Sequence, residues 1–462
     1  MGAAVTSLWD LVAGHGAPVK GEFHGASHSV AIADLASGST LGGQLESLRG
    51  RSVLIATHSQ LPTALALIEL DGVARRMVLC TPELSPELLA HVASLAEGDA
   101  IIVDAAPPPK LSATAYPVTP RPEPAATPRR ASHVTEWVLL TSGTTGVPKL
   151  VVHTLQSLAG ALPRQPPAGR RCVWSTFYDI RRYGGLQMYL RALACGLSFV
   201  LSTPGASTRE YFTRAAAHGV THISGTPSHW RGALMSGDAA LLTPDYVRLS
   251  GEVADQALLD GLRSAYPGAL VAHAFASTEA GVAFEVNDGL AGFPAALLGE
   301  HGEILRKVEN GTLRVRSPRI AAGYLGDASR VADAEGFVDT GDLIELQGDR
   351  YYFRGRDGGI INVGGLKVYP EEVEAVLNAD PRVRVSLVRA RRNSITGAVV
   401  VADVVAADSG SPALDAAALD LLRTELLNAC RRTLPPHKVP AMLRFVAELG
   451  MTPAGKLVRP LA

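Results

Sequence analysis

Short apolar runs rich in β-formers alternate with helical stretches over the first hundred residues, and this alternation limits the possible folds most. Ser52–Ala56, Arg76–Cys80 and Ala100–Val103 read as strands, with Leu61–Leu70 and Ser85–Ala96 as helices between them. A strand that returns parallel to its predecessor needs a crossover long enough for a helix, so the pattern points to a largely parallel sheet. A second α/β run extends from Trp137 to about Ala276. Thr312–Arg316 and the Tyr351–Phe353 region read as strands of a smaller β-rich part. After Gly355 the pattern resets, with helices expected at Pro370–Asn378 and Leu419–Arg432 and strands at Arg384–Val388 and Ala398–Val405. Between the first two runs, Ala105–Pro128 carries eight prolines and reads as a surface connection or semi-rigid linker. The expected fold is α/β: a large N-terminal domain over residues 1–355, of mixed or parallel sheets flanked by helices plus a small β-rich part, and an α+β domain over 356–462.

Composition narrows the function classes. Hydrophobic residues make up 47% of the 462 residues and charged ones 19%, enough for a sizeable core. A net charge of -1 supplies no basic footprint for nucleic acid. There is no apolar run of membrane-spanning length, and Met1–Leu8 does not read as a signal peptide. The cysteines Cys80, Cys172, Cys195 and Cys430 are scattered without a CxxC pair, which fits buried thiols in a reducing cytoplasm better than a disulfide or zinc framework.

The first segment with chemical content follows Val138-Leu139-Leu140. It reads Thr141-Ser142-Gly143-Thr144-Thr145-Gly146-Val147-Pro148-Lys149. Glycines let backbone N–H groups turn toward an anion, the hydroxyls add donors and Lys149 adds a charge, which suits ATP phosphates. It is not the GxxxxGK[ST] loop, because Pro148 precedes the lysine. A polar turn after a strand is the plainer reading of these residues alone. The segment resembles the phosphate-loop signature of the adenylate-forming (AMP-binding) superfamily, which includes acyl- and aryl-CoA synthetases, adenylation domains and luciferases.

Further matches follow in the family's order. Phe275-Ala276-Ser277-Thr278-Glu279 resembles the aromatic–Gly–x–Thr–Glu motif, with Ala276 in place of the usual glycine. The resemblance implies Phe275 near the adenine, Thr278 donating to the α-phosphate and Glu279 as the Mg²⁺ ligand; Ser277 or Thr278 capping a helix is the plainer alternative. Leu249-Ser250-Gly251-Glu252 looks like the adenine-side loop, or an ordinary turn. Asp339-Thr340-Gly341-Asp342 resembles the ribose motif, with Asp342 accepting from the hydroxyls, where a β-turn Asp is otherwise routine. Arg356 matches the arginine near ribose and phosphates, and Asp357/Gly358 stand where the family places its hinge. Gly364-Gly365, ahead of Pro370-Glu371-Glu372, matches the turn that lines a thiol tunnel. Lys456, in Thr452-Pro453-Ala454-Gly455-Lys456, matches the catalytic lysine; by itself it would be a surface lysine. The matches run from about Val138 to Arg459, and the residues before them carry no motif of this kind.

What the resemblance implies is a ligase. ATP and a carboxylic acid give an acyl-AMP and pyrophosphate, a mobile C-terminal domain then rotates, and the acyl group passes to the thiol of coenzyme A. A standalone enzyme that loads the phosphopantetheine of an acyl carrier protein is the nearest alternative, and a non-catalytic nucleotide-binding protein is the alternative from another class. The acid loop is expected at Thr176–Leu186, with Tyr183 and Gly184 lining a flat pocket for an aryl or modest-sized acyl acid. Arg181 or Arg182 either pairs with a second carboxylate or lies on a solvated face. Replacing Lys456 by Ala is expected to slow adenylation by roughly two orders of magnitude or more, as loss of one preorganised cationic donor does. Pyrophosphate exchange into ATP measures this.

Overall fold

The computed structural model describes residues 7–13, 20–106, 111–125, 129–141, 147–160, 162, 171–393, 397–407, 416–450 and 457–458. Two mostly parallel sheets build the large lobe. In the first, Ser52–Ile55, Arg76–Leu79 and Ala100–Val103 are buried at every position. Strands covered on both faces read as unbroken apolar runs, which is how the sequence marks them. The strand order is Thr114–Pro117, Ala100–Val103, Ser52–Ile55, Arg76–Leu79, Glu136–Thr141, Lys149–Thr154, Gly323–Leu325. The first five are parallel, and each of the last two runs antiparallel to the strand before it.

The Ala105–Pro128 stretch is therefore more than a linker. Thr114–Pro117 adds an edge strand to this sheet, and Glu123–Pro124 pairs with Gly38–Ser39. An edge strand leaves one row of its backbone groups unpaired, so proline's missing N–H is tolerated there.

The second sheet has eight strands in the order Ser29–Ala31, Glu22–His24, Ser198–Val200, Val173–Thr176, His222–Gly225, Tyr246–Ser250, Leu270–Ser277, Gly281–Val286. Its six inner strands are parallel and both edges antiparallel. Helix Gln60–Leu70 is buried along its whole length and Tyr183–Ala194 nearly so. One core joins Val53 and Met77 of the first sheet to Phe23 and Trp174 of the second through Leu65 and Leu186. A helix caught between two sheets has no wet face, so Gln60–Leu70 is mostly apolar and its polar side chains are matched inside, Glu69 accepting from Ser39 Oγ at 2.6 Å and from the Thr40 N–H at 2.6 Å.

A six-stranded antiparallel sheet follows, including Thr312–Arg316, Val338–Gln347 and Arg350–Arg356. Beyond it lies a module with its own core of residues such as Val373, Leu377, Val400, Leu422 and Leu426. It contains helices Pro370–Asn378 and Ala416–Thr433 and the strands Val383–Asn393, Gly397–Ala406 and Met442–Phe445. All four cysteines are buried and free. Among the described residues no helix is long and apolar enough to cross a membrane.

Trp137 is fully buried, and its Nε1–H donates to Asp71 Oδ1 at 2.9 Å while the Leu8 N–H donates to Oδ2 at 2.8 Å. Desolvation outweighs these donors and raises the Asp71 pKa from 3.8 to about 7. Between those values the native chain keeps a proton that the unfolded chain has lost, so this group's contribution to stability falls as pH rises through the window. Asp71→Asn is expected to remove that slope. The stability difference, wild type minus variant, should shrink between pH 4 and 7, as read by urea unfolding at each pH.

Candidate active site

Thr141 and Lys149, expected at the two ends of the phosphate loop, face each other across an antiparallel hairpin formed by Glu136–Thr141 and Lys149–Thr154. The loop tip, Ser142, Gly143, Thr144, Thr145 and Gly146, lies outside the described residues. Lys149 is exposed, and its Nζ sits 4.9 Å over the ring of Tyr324, whose strand pairs with the hairpin. The half-buried Tyr324 hydroxyl also feels Glu279: burial, followed by the negative charges of Glu279 and Asp327, pushes its pKa up to about 12. The phenol therefore stays protonated beside the carboxylate. Sequence reasoning did not single out Tyr324. An aromatic after a glycine carries no chemistry of its own, and only strand pairing brings it beside both charges.

Thr278 and Glu279 lie in the turn that follows the last parallel strand of the second sheet, Leu270–Ser277, yet groups of the first sheet and of the segment leading into it hold them. His153 Nε2 donates to the Thr278 carbonyl at 2.8 Å, and the Ala321 N–H donates to the Glu279 carbonyl at 2.8 Å. The Ala322 N–H donates to the Val152 carbonyl at 2.8 Å and completes the seam. The contact with a carbonyl fixes the proton of His153 on Nε2, leaving Nδ1 to accept from Ser157 Oγ at 2.9 Å. Burial lowers the His153 pKa to about 4, so the imidazole is neutral. Gly281, at the end of the motif, has φ +75°, and a Cβ there would lie 2.9 Å from the Arg319 carbonyl oxygen. Only glycine fits.

Ser277, Glu279, Tyr324, Arg330, Thr340 and Arg356 line a cavity of about 530 Å³. Arg356 Nε donates to Asp342 Oδ1 at 3.2 Å across the ladder of the third sheet, with the arginine side chain largely exposed. Phe275 is committed to an aromatic stack, 5.0 Å from Phe353 and 5.7 Å from Phe284. Among the described residues no group of three or more His, Cys, Asp and Glu side chains gathers to hold a metal ion. Glu279 could supply one carboxylate, which is enough for Mg²⁺ when phosphates and water complete the shell.

Other expected site residues lie elsewhere. Tyr183 begins helix Tyr183–Ala194, is buried, and packs 5.8 Å from the His153 ring. Gly184 lies under Tyr178, whose hydroxyl donates to the Ser250 carbonyl at 2.6 Å. Arg181 is neither solvated nor available to a substrate. It is fully buried, its Nε donates to Asp179 at 2.8 Å, and its Nη1 donates to the Thr57 carbonyl. Arg182 leans toward Glu83 at 3.6 Å. Gly364 and Gly365 form an exposed turn with positive φ, closed by the Gly365 N–H donating to Asn362 Oδ1 at 2.9 Å. Gly365 borders a separate cavity with Arg392, on the small module.

At the expected hinge, a Cβ on Gly358 would meet nothing. Gly355 is the constrained position: its φ is +122°, and a Cβ would lie 2.4 Å from Glu371 Oε2. Gly251 has φ +86°. Glu252 accepts from the N–H of Ser228 at 2.9 Å and of Leu457 at 3.3 Å. Thr452–Lys456 lies outside the described residues.

Comparison with known proteins agrees with this layout. A family model described as AMP-binding enzyme matches residues 52–325, and one described as AMP-binding enzyme C-terminal domain matches 372–456. The p-hydroxybenzoic acid–AMP ligase FadD22 of Mycobacterium tuberculosis is 27% identical over 352 residues, covering 70% of this chain and 48% of the relative. The 2-succinylbenzoate–CoA ligase of Geobacillus kaustophilus is 29% identical over 344 residues, covering 70% and 67%. The chain spans about half the length, or less, of the first curated relatives it matches. The anthranilate CoA ligase AuaEII, solved with anthranoyl-AMP, has a TM-score of 0.81 at 17% identity, covering 98% of this chain and 95% of that one. That likeness shows the fold.

His153→Ala is expected to leave the Thr278 carbonyl without its donor and to destabilise the chain by about 1–3 kcal/mol at pH 7. The native His153 resists protonation down to about pH 4 while the unfolded one titrates at 6.5, so its contribution is present above 6.5 and lost as pH falls toward 4. The destabilisation by the variant should therefore shrink in acid, as measured by denaturant unfolding between pH 4 and 7.

Proposed function

Because this chain belongs to the AMP-binding enzyme family, we propose that it activates a carboxylic acid as its acyl-adenylate and passes the acyl group to coenzyme A. Family membership carries adenine-nucleotide binding with it. The observation that carries the fuller reading is the grouping at one cavity. Glu279 and Arg356 line it, Tyr324 connects Glu279 to Lys149, and Asp342 stands behind Arg356.

A carboxylate resists attack at its carbonyl because the leaving group would be oxide. Joining it to AMP supplies a good one. The acid's carboxylate oxygen attacks the α-phosphorus and the bond to pyrophosphate breaks. Charge gathers on the phosphate oxygens, where preorganised donors act most strongly. In this reading Lys149 and the Thr141–Gly146 loop hold the β- and γ-phosphates, Thr278 donates at the α-phosphate, and Asp342 accepts from the ribose hydroxyls. Gly251 and Phe275 border the adenine. Glu279 holds Mg²⁺, which supplies charge neutralisation when bound. Lys456 contributes a cation in this half-reaction only. The small module then turns about Asp357/Gly358, the Gly364-Gly365 turn arrives, and the thiol sulfur attacks the acyl carbonyl as AMP leaves.

The proposed acid is an aryl or modest-sized acyl acid, next to Tyr183 and Gly184. The names of FadD22 and the 2-succinylbenzoate ligase, both aromatic acid activators, support this class. A carrier-protein thiol is chemically equivalent, so coenzyme A and a phosphopantetheinylated carrier belong in the same assay. Exchange of labelled pyrophosphate into ATP should occur with at least one aryl acid in a screen of aryl, fatty, dicarboxylic and amino acids. Preference for amino acids would overturn the pocket assignment, and no exchange with any acid would favour a non-catalytic nucleotide-binding protein.

A further inference from the structure

Glu252 does not use its carboxylate on the cavity side. It follows Gly251 at the end of strand Tyr246–Ser250 and turns both oxygens toward backbone donors from two different parts of the chain. Oε2 takes the Ser228 N–H at 2.9 Å, in the first turn of helix Pro227–Ser236, where backbone donors have no partner within the helix. Oε1 takes the Leu457 N–H at 3.3 Å, from a residue 205 positions later and next in sequence to Lys456. That segment belongs to the small module: the Val458 N–H donates to the Gly450 carbonyl at 2.9 Å. The same helix meets the module again through strand Val383–Asn393. Arg231 on that helix pairs with Asp255 of the large lobe and also feels the charges of Glu252 and of Glu374 on the small module.

We propose that Glu252 is a positioning residue that latches the C-terminal segment onto the adenine-side loop for the adenylation half-reaction and lets go for thiol transfer. This rests on the acid-activating reading above. A carboxylate suits the task because both of its oxygens accept, so one side chain ties a helix start and a mobile backbone amide together. A neutral amide of the same shape can hold only one of the two donors. The bond to Leu457 is the longer of the two, as fits a contact that must break in each turnover.

The test separates latch from scaffold. Spin labels at Ala217→Cys and Leu421→Cys, both exposed, report the distance between lobes in the presence of AMP, with the four native thiols buried. Glu252→Gln should shift the ratio of docked to undocked lobes about tenfold toward undocked, the scale of one charge-assisted hydrogen bond. It should slow pyrophosphate exchange by a similar factor, driven by the best acid of the screen. It should leave thioester formation from the preformed adenylate within about twofold of wild type. Thr226→Ala removes the cap of the same helix without touching Leu457 and should leave the lobe ratio unchanged. An unchanged ratio in Glu252→Gln, or an equal shift in Thr226→Ala, overturns the proposal. If the wild type exchanges no pyrophosphate, the acid-activating reading fails while the distance measurement still decides the latch.

Discussion

The site depends on a short seam between two sheets. The strand that leads into Thr278 and Glu279 belongs to one sheet, and Lys149 opens a strand of the other. Three bonds hold them in register: His153 to the Thr278 carbonyl, Ala321 to the Glu279 carbonyl and Ala322 to the Val152 carbonyl. The Thr278 and Glu279 carbonyls lie in a turn, off the ladder of their sheet, and such groups need a partner when buried. The segment carrying Ala321 and Ala322 then runs into the Gly323–Leu325 strand and delivers Tyr324 between Lys149 and Glu279. Backbone satisfaction and the assembly of the site are thus the same event.

Burial sets the protonation of groups around this seam, and the signs differ. Desolvation disfavours charge on either type of group, so it keeps His153 and His229 neutral down to about pH 4 and holds a proton on Asp71 up to about pH 7. Neutral His229 stacks 4.8 Å over Phe177, close to the expected acid loop. Arg181, which could have carried a substrate contact, is instead consumed in bonding Asp179 and Thr57. The interior beside residues 176–186 is therefore polar but internally matched.

Sequence patterns were most informative where one local rule decides the outcome. Helix Pro370–Asn378 has its first residue at a proline and two glutamates in its first turn, and its bounds were legible to the residue. The buried strands from Ser52 to Val103 were legible because both faces are dry. The pairing of Thr114–Pro117 was hidden because its prolines spell connection, and only an available sheet edge makes it a strand. Arg181 was misread because two arginines in a row look solvated until the Asp179 side chain folds back on one of them.

By itself, the chain's residue order determined the succession of elements, since helix starts, glycine turns and dry strands are written in near neighbours. Tertiary structure alone decided which residues meet. Tyr324 reaches Glu279, His153 reaches Thr278 and Glu252 reaches Leu457 across 45, 125 and 205 positions. Contacts at such separations follow from how sheets stack and where lobes close, and no local pattern encodes that geometry.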